Sequence, residues 1–194
     1  MAGPKRTNSG ARDAFTLIDI VRVVGGLLFL NAFFSWWFTS TSTWGYNGKW
    51  INTQYLKHRL TNNYVNLTID ELALYNGSDM SLPIYIGVNG YVYDVTASRG
   101  IYGPKGSYSK LSGKDASRLY VTGCFMNPEE YTYDLRGLKE EEAKQELSEW
   151  QQFFEEHPKY WLAGYVQRPD PVGEPPAPCE HIKFPGRRTK NAGN

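Results

Sequence analysis

The chain is 194 residues long and carries 21 basic and 20 acidic residues, a net charge of +1. That length holds one modest domain with flanking segments, and the balanced charge argues against a nucleic-acid binder that works by neutralising phosphates. Its two cysteines, Cys124 and Cys179, form no CxxC and no Cys/His cluster, which excludes a cysteine-based zinc site and leaves either one long-range disulfide or two unrelated thiols.

After an N-terminal tail of residues 1–16, the sequence from Ile20 to Phe38 reads IVRVVGGLLFLNAFFSWWF, with Arg22 its only charge. At ~1.5 Å per residue this spans roughly 28 Å, close to the hydrocarbon thickness of a bilayer. Trp36 and Trp37 stand at one end, where interfacial aromatics belong. No small-residue cleavage site follows, so residues 17–39 read as a retained transmembrane helix rather than a removed signal peptide. Arg22 can snorkel and pair with Asp19, and Asn31 reads as a packing contact. Lys5, Arg6 and Arg12 precede the span, which leans towards a cytosolic N-terminus and a lumenal domain. Two glycosylation sequons, Asn66-Leu67-Thr68 and Asn76-Gly77-Ser78, fit that orientation.

Residues 40–64 are polar, without a sustained period, and read as a membrane-proximal linker containing one short amphipathic piece. The domain of residues 65–166 opens on LTIDELALYNG, where Thr68 and Glu71 have capping-box spacing; this predicts a short helix from Ile69 to about Asn76-Gly77. Two β-rich runs, Ile84–Val88 and Tyr91–Val95, flank Asn89-Gly90 and predict a hairpin with a type I′ turn. A Gly- and Ser-rich stretch, GIYGPKGSYSKLSGKDASR, follows from Gly100 to Arg118. Beyond it, Ala143, Leu147, Trp150 and Phe154 repeat on one helical face, with an acidic face opposite. Tyr160–Val166 is a last strand. The order of elements predicts a small α+β domain, with the Gly-rich stretch as its longest irregular insert, where function concentrates. Residues 167–194 form a tail with five prolines between Pro169 and Pro178, then a basic end; it reads as extended, disordered, or a strap lying on a partner.

The segments LTIDELALYNGSD, PIYIGVNGYVYDVT, IYGPKGSYSKLSGKDASR and LSEWQQFF occur in the order and spacing of the membrane-associated progesterone receptor family. The chain resembles that branch of the cytochrome b5-like heme/steroid-binding fold, behind a single N-terminal transmembrane helix. It has no HPGG motif, and its histidines His58, His157 and His181 lie outside the hairpin-to-loop segment, which argues against ligation of heme by two histidines. The resemblance places the axial heme-iron ligand on Tyr108, a second pocket tyrosine on Tyr102, and a Lys-Tyr pair at the heme edge on Lys159 and Tyr160. It departs from the family where Ser107 and Ser109 flank Tyr108 and where Leu111 replaces an aromatic.

A free phenol has a pKa of about 10 and is a poor ligand until deprotonated; a ferric iron supplies the positive charge that stabilises the phenolate. Gly100, Gly103 and Gly106 would let backbone approach the porphyrin plane. Asp115 reads as a helix N-cap, and Arg118 as one half of an internal salt bridge.

With no nucleophile–base pair, phosphate loop or paired carboxylates, the resemblance implies a non-enzymatic hemoprotein of the endoplasmic reticulum or another endomembrane. Its expected partners are the lipid bilayer, a membrane enzyme of sterol or lipid metabolism, and a second copy of the chain across the open heme face. The alternative is a heme-free accessory subunit of a membrane protein complex, with the b5-like domain as docking module and the linker and Pro-rich tail as contact surfaces.

Overall fold

A computed structural model describes residues 16–177 and 179; the remainder of both predicted tails, His181 included, lies outside them. Two compact units divide between Asn47 and Gly48.

In the first unit, α1 (Leu17–Thr39) is the helix long and apolar enough to cross a membrane. The Thr16 backbone N–H donates to Asp19 at its start (3.1 Å), and Arg22 pairs with the same carboxylate at 3.3 Å. Ser40 ends the helix in the left-handed conformation. The chain then turns back, so that the Trp44 indole donates to Asn31 at 3.1 Å and Ser35 Oγ donates to the Thr41 carbonyl at 2.6 Å. Asn31 thus contacts a residue of its own unit.

The second unit is built on a four-stranded mixed sheet of β1 (Val65–Leu67), β2 (Tyr85–Val88), β3 (Tyr91–Asp94) and β4 (Trp161–Val166), in the order β1-β4-β3-β2. β2 and β3 are the predicted hairpin. Asn89 and Gly90 have φ of 53° and 83°, the positive pair that a type I′ turn demands. Val92 pairs with Gly164 and Tyr93 with Leu162, so Ala163 bulges out of register.

Alternation along the strands divides the core. Ile84, Ile86, Val88, Tyr93 and Val95 face one way, against Leu119, Tyr120, Ala143, Leu147 and Phe154. Tyr85, Val92, Ala163 and Val166 face the other, against Leu67 and Leu72. The first face is covered by α5 (Ser117–Thr122) and α6 (Glu140–Glu156), with α4 (Arg99–Tyr102) beside them; α3 (Ile69–Ala73) contributes Leu72 to the second. In α6 the predicted stripe is the buried one, with Ala143, Leu147 and Phe154 inside and Trp150 half-buried.

The short piece expected in the linker is a helix, α2 (Thr53–Thr61), capped by Asn52, with Tyr55 buried against Trp161. Two local differences from expectation have physical causes. α3 stops at Ala73, because Leu74 and Tyr75 donate to the carbonyls three residues back and Asn76 closes a side-chain turn onto Ser78. The N-cap of α5 is Ala116; Asp115 instead reaches the Gly90 N–H of the hairpin turn at 2.9 Å and Ser117. Arg118, as expected, is one half of an internal salt bridge, with Glu130 at 3.1 Å.

The described part of the tail is a strap on its own domain. Tyr133 donates to the Pro169 carbonyl (3.0 Å), Arg136 to Gly173 (3.1 Å) and Arg118 to Pro176 (3.3 Å). Cys179 closes the strap as a disulfide to Cys124, with Cα atoms 6.7 Å apart.

Candidate functional site

The Gly-rich insert is a series of tight turns hung on β2. Gly103 N–H donates to Arg99, Gly106 to Gly103, Tyr108 to Ile101 and Gly113 to Tyr85, each between 2.8 and 3.0 Å. Buried Ser112 fixes the insert from inside by donating to the Tyr102 carbonyl at 2.6 Å. A Cβ on Gly106 would stand 2.0 Å from the Ile101 carbonyl oxygen. The turn itself therefore requires that glycine, a reason for it independent of any porphyrin.

These turns place Tyr102 and Tyr108 side by side, with ring centroids 6.2 Å apart. Tyr102 is 7% exposed and Tyr108 38%. Tyr102 meets Tyr160 edge-on at 6.0 Å, and Tyr160 donates to Ser98 Oγ at 2.8 Å. Three of the four expected site residues therefore form one aromatic row. The fourth, Lys159, adjoins it through the backbone: its N–H donates to His157 Nδ1 at 3.2 Å, and no hydrogen bond joins Lys159 to Tyr102 or Tyr108 among the described residues.

Two further members extend the row. His157 lies flat on Tyr160, centroids 3.6 Å apart and planes within 9°. Phe125 flanks the outer side of Tyr108 at 5.8 Å. The spacing His157-Pro158-Lys159-Tyr160 is a turn that brings first and last residues together, and was the available signal for His157. Phe125 reaches Tyr108 only through the tertiary fold.

Burial sorts the titratable groups. Loss of solvent holds the Tyr102 phenol far above its ordinary value, and the neighbouring Tyr160 phenol adds to this, so Tyr102 keeps its proton. The Tyr120 hydroxyl behind it is fully buried, has no partner among the described residues, and is likewise held protonated by burial. Burial, then the Lys159 and Lys49 cations, push the His157 imidazole down, which leaves it neutral with Nδ1 accepting. The Tyr108 hydroxyl makes no hydrogen bond among the described residues, so its oxygen is free at the solvent edge.

This donor set can be tested against the cofactor that the resemblance implies. A free phenol oxygen beside a buried, proton-holding phenol fits tyrosinate ligation of a ferric heme. It does not fit two-histidine ligation, since among the described residues no second histidine stands beside His157, whose Nδ1 is committed to the Lys159 N–H.

Residues 68–149 match the family described as "Cytochrome b5-like Heme/Steroid binding domain", a stretch that includes Tyr102 and Tyr108 and stops short of Lys159 and Tyr160. The chain is 40% identical over 102 residues to the Arabidopsis thaliana protein named "Probable steroid-binding protein 3", covering 53% of this chain and 98% of that one. It is 44% identical over 85 residues to the "Membrane-associated progesterone-binding protein 4" of the same plant, covering 44% of this chain and 34% of the relative. It thus spans about a third of that longer relative. A solved Arabidopsis thaliana structure, described as having a cytochrome b5 like fold, is 39% identical, covering 53% of this chain and 91% of that one with a TM-score of 0.46.

Proposed function

Because the chain belongs to the cytochrome b5-like heme/steroid-binding domain family, we propose that it is a single-pass membrane hemoprotein that holds heme through Tyr108 and supports a membrane enzyme of sterol or lipid metabolism. The observation that carries this reading is the free phenol oxygen of Tyr108, set 6.2 Å from the buried ring of Tyr102.

Each residue has a task in this reading. Tyr108 is the axial donor. Tyr102 keeps its proton and braces the donor ring from the core side. Tyr160, stacked on neutral His157 and bonded to Ser98, fixes Tyr102 from behind. Lys159 supplies a positive charge for an acidic group at the ligand's edge. When bound, ferric heme would supply the charge that stabilises the Tyr108 phenolate, and with one protein ligand its opposite face stays open to a small ligand, a partner or a second copy of the chain.

α1 anchors the protein in the endoplasmic reticulum or another endomembrane. The domain faces the lumen, a placement supported by the Cys124–Cys179 disulfide. The alternative, a heme-free docking module that uses its Pro-rich tail, is less well supported, because Pro169, Gly173 and Pro176 are already bonded within the domain.

Titration of the detergent-purified full chain with hemin tests the reading. A Soret band that saturates near one equivalent is expected; a spectrum that is only the sum of hemin and protein would overturn it.

A further inference from the structure

The β1 edge of the sheet bears a row of tyrosines that the heme site does not use. Tyr64, Tyr165 and Tyr91 are 38%, 41% and 36% exposed. Their rings nevertheless stand in sequence, Tyr64 to Tyr165 at 6.0 Å and Tyr165 to Tyr91 at 5.5 Å. Exposed phenols in sequence, tilted 44° and 63° to one another, form a continuous ridged apolar surface with a polar rim.

Asn66 lies within that row. It is exposed at the centre of β1, an edge strand whose one neighbour among the described residues is β4. Its register partner is Tyr165, so both side chains leave the same face of the sheet. Tyr64, two residues earlier, lies on that face as well. The Asn66 side-chain amide makes no hydrogen bond among the described residues, and Asn66-Leu67-Thr68 is an N-glycosylation sequon. The second sequon differs. Asn76 Nδ2 donates to the Ala73 carbonyl at 2.9 Å and its Oδ1 accepts from Ser78 N–H at 2.8 Å, so a glycan on that nitrogen would crowd the turn in the folded domain, whereas one on Asn66 displaces no hydrogen bond.

The disulfide is an independent observation. Cys124–Cys179 belongs to an oxidising compartment, the one in which N-linked glycans are added.

We propose that Asn66 carries an N-linked glycan whose first N-acetylhexosamine lies against the Tyr64–Tyr165–Tyr91 row. The inference rests on the lumenal placement given above. In the transfer, Asn66 Nδ2 bonds to the anomeric carbon of a lipid-diphosphate-linked oligosaccharide. The carbon–oxygen bond to the diphosphate breaks, the lipid diphosphate leaves with the electron pair, and the Nδ2 proton passes to a base of the transferase. In the folded domain Thr68 is held in the cap of α3 by Glu71, so transfer precedes the folding of that helix. Once attached, the sugar's C–H face covers exposed aromatic surface.

The test uses the full chain made in eukaryotic cells. Digestion with peptide N-glycosidase should raise its mobility by one glycan. The shift should vanish in Asn66→Gln and persist in Asn76→Gln. Tyr165→Ala should lower the Tm of the glycosylated protein more than that of the digested protein. Digestion in heavy-oxygen water, read by mass on the unaltered chain, locates the site even if a variant fails to accumulate. In parallel, alkylation of the unreduced protein reads Cys124 and Cys179. Blocked thiols without a glycan, or a shift lost only in Asn76→Gln, would overturn the inference and leave the lumenal placement intact. Free thiols without a glycan would overturn both.

Discussion

The rings of Tyr102 and Tyr108 stand 6.2 Å apart, the first sealed in the core and the second half in solvent. Neighbours in space, they have opposite duties, and their substitutions should separate. Tyr102→Phe removes a polar hydroxyl from a ring buried against Tyr160 and should cost about 1 kcal/mol. Tyr108→Phe removes an unpartnered hydroxyl and should change stability by less than about 0.5 kcal/mol. Urea unfolding of the heme-free protein compares them; equal losses would make Tyr108 a packing residue.

Arg118 and Glu130 form an ion pair sealed from water, 1% and 0% exposed by side chain. Glu130 also accepts from Thr122 at 2.6 Å, while Arg118 donates to the Asp134 and Arg136 carbonyls and to the strap at Pro176. Glu130→Ala leaves a buried guanidinium without its counter-charge and should destabilise the domain by about 3–5 kcal/mol. Thermal unfolding measures this. A loss near that of a surface substitution would show that the pair is not sealed in solution.

Asp94 makes stability depend on pH. Burial pushes its carboxyl up to about 6, against the opposing pull of the Thr96 hydrogen bonds and of the His58 and Arg99 charges. The folded pKa is thus above the unfolded value. The associated stability is fully present below pH ~4 and is lost as pH rises through about 6, up to about 3 kcal/mol in all. Asp94→Asn keeps an acceptor for the Thr96 N–H and should be more stable than the native chain at pH ~8, the difference closing towards pH ~4. Parallel stability profiles across that range would contradict the assignment.

The Cys124–Cys179 bond closes a loop with a sequence separation of 55. In the chain-entropy view such a loop is worth about 4 kcal/mol. Reduction should lower the Tm and loosen the strap from Tyr133 and Arg136. Protease cutting between residues 169 and 177 reads the second effect; equal cutting rates with and without reductant would show that the hydrogen bonds hold the strap alone.

Local chemistry accounts for what the sequence made legible. The Asn89-Gly90 turn, the Thr68/Glu71 cap and the α6 stripe each depend on residues within a turn or two of one another. β1 was not legible, because it has only three residues and its partner β4 lies at the far end of the domain. Asp115 misled for the same reason: its acceptor role is set by the hairpin turn at Gly90, remote in sequence. In the site, Tyr102 and Tyr108 came from a motif. Phe125 belongs to the row only because α5 brings it back over the insert, and His157 because the turn after α6 folds it onto Tyr160.

Paired absorption spectra of the hemin-loaded full chain and its Tyr108→Phe variant decide whether Tyr108 is the heme ligand. A Soret band with a high-spin charge-transfer feature is expected in the native chain, and loss of that feature in Tyr108→Phe while Tyr102→Phe keeps it. Identical spectra from the native chain and Tyr108→Phe would contradict it.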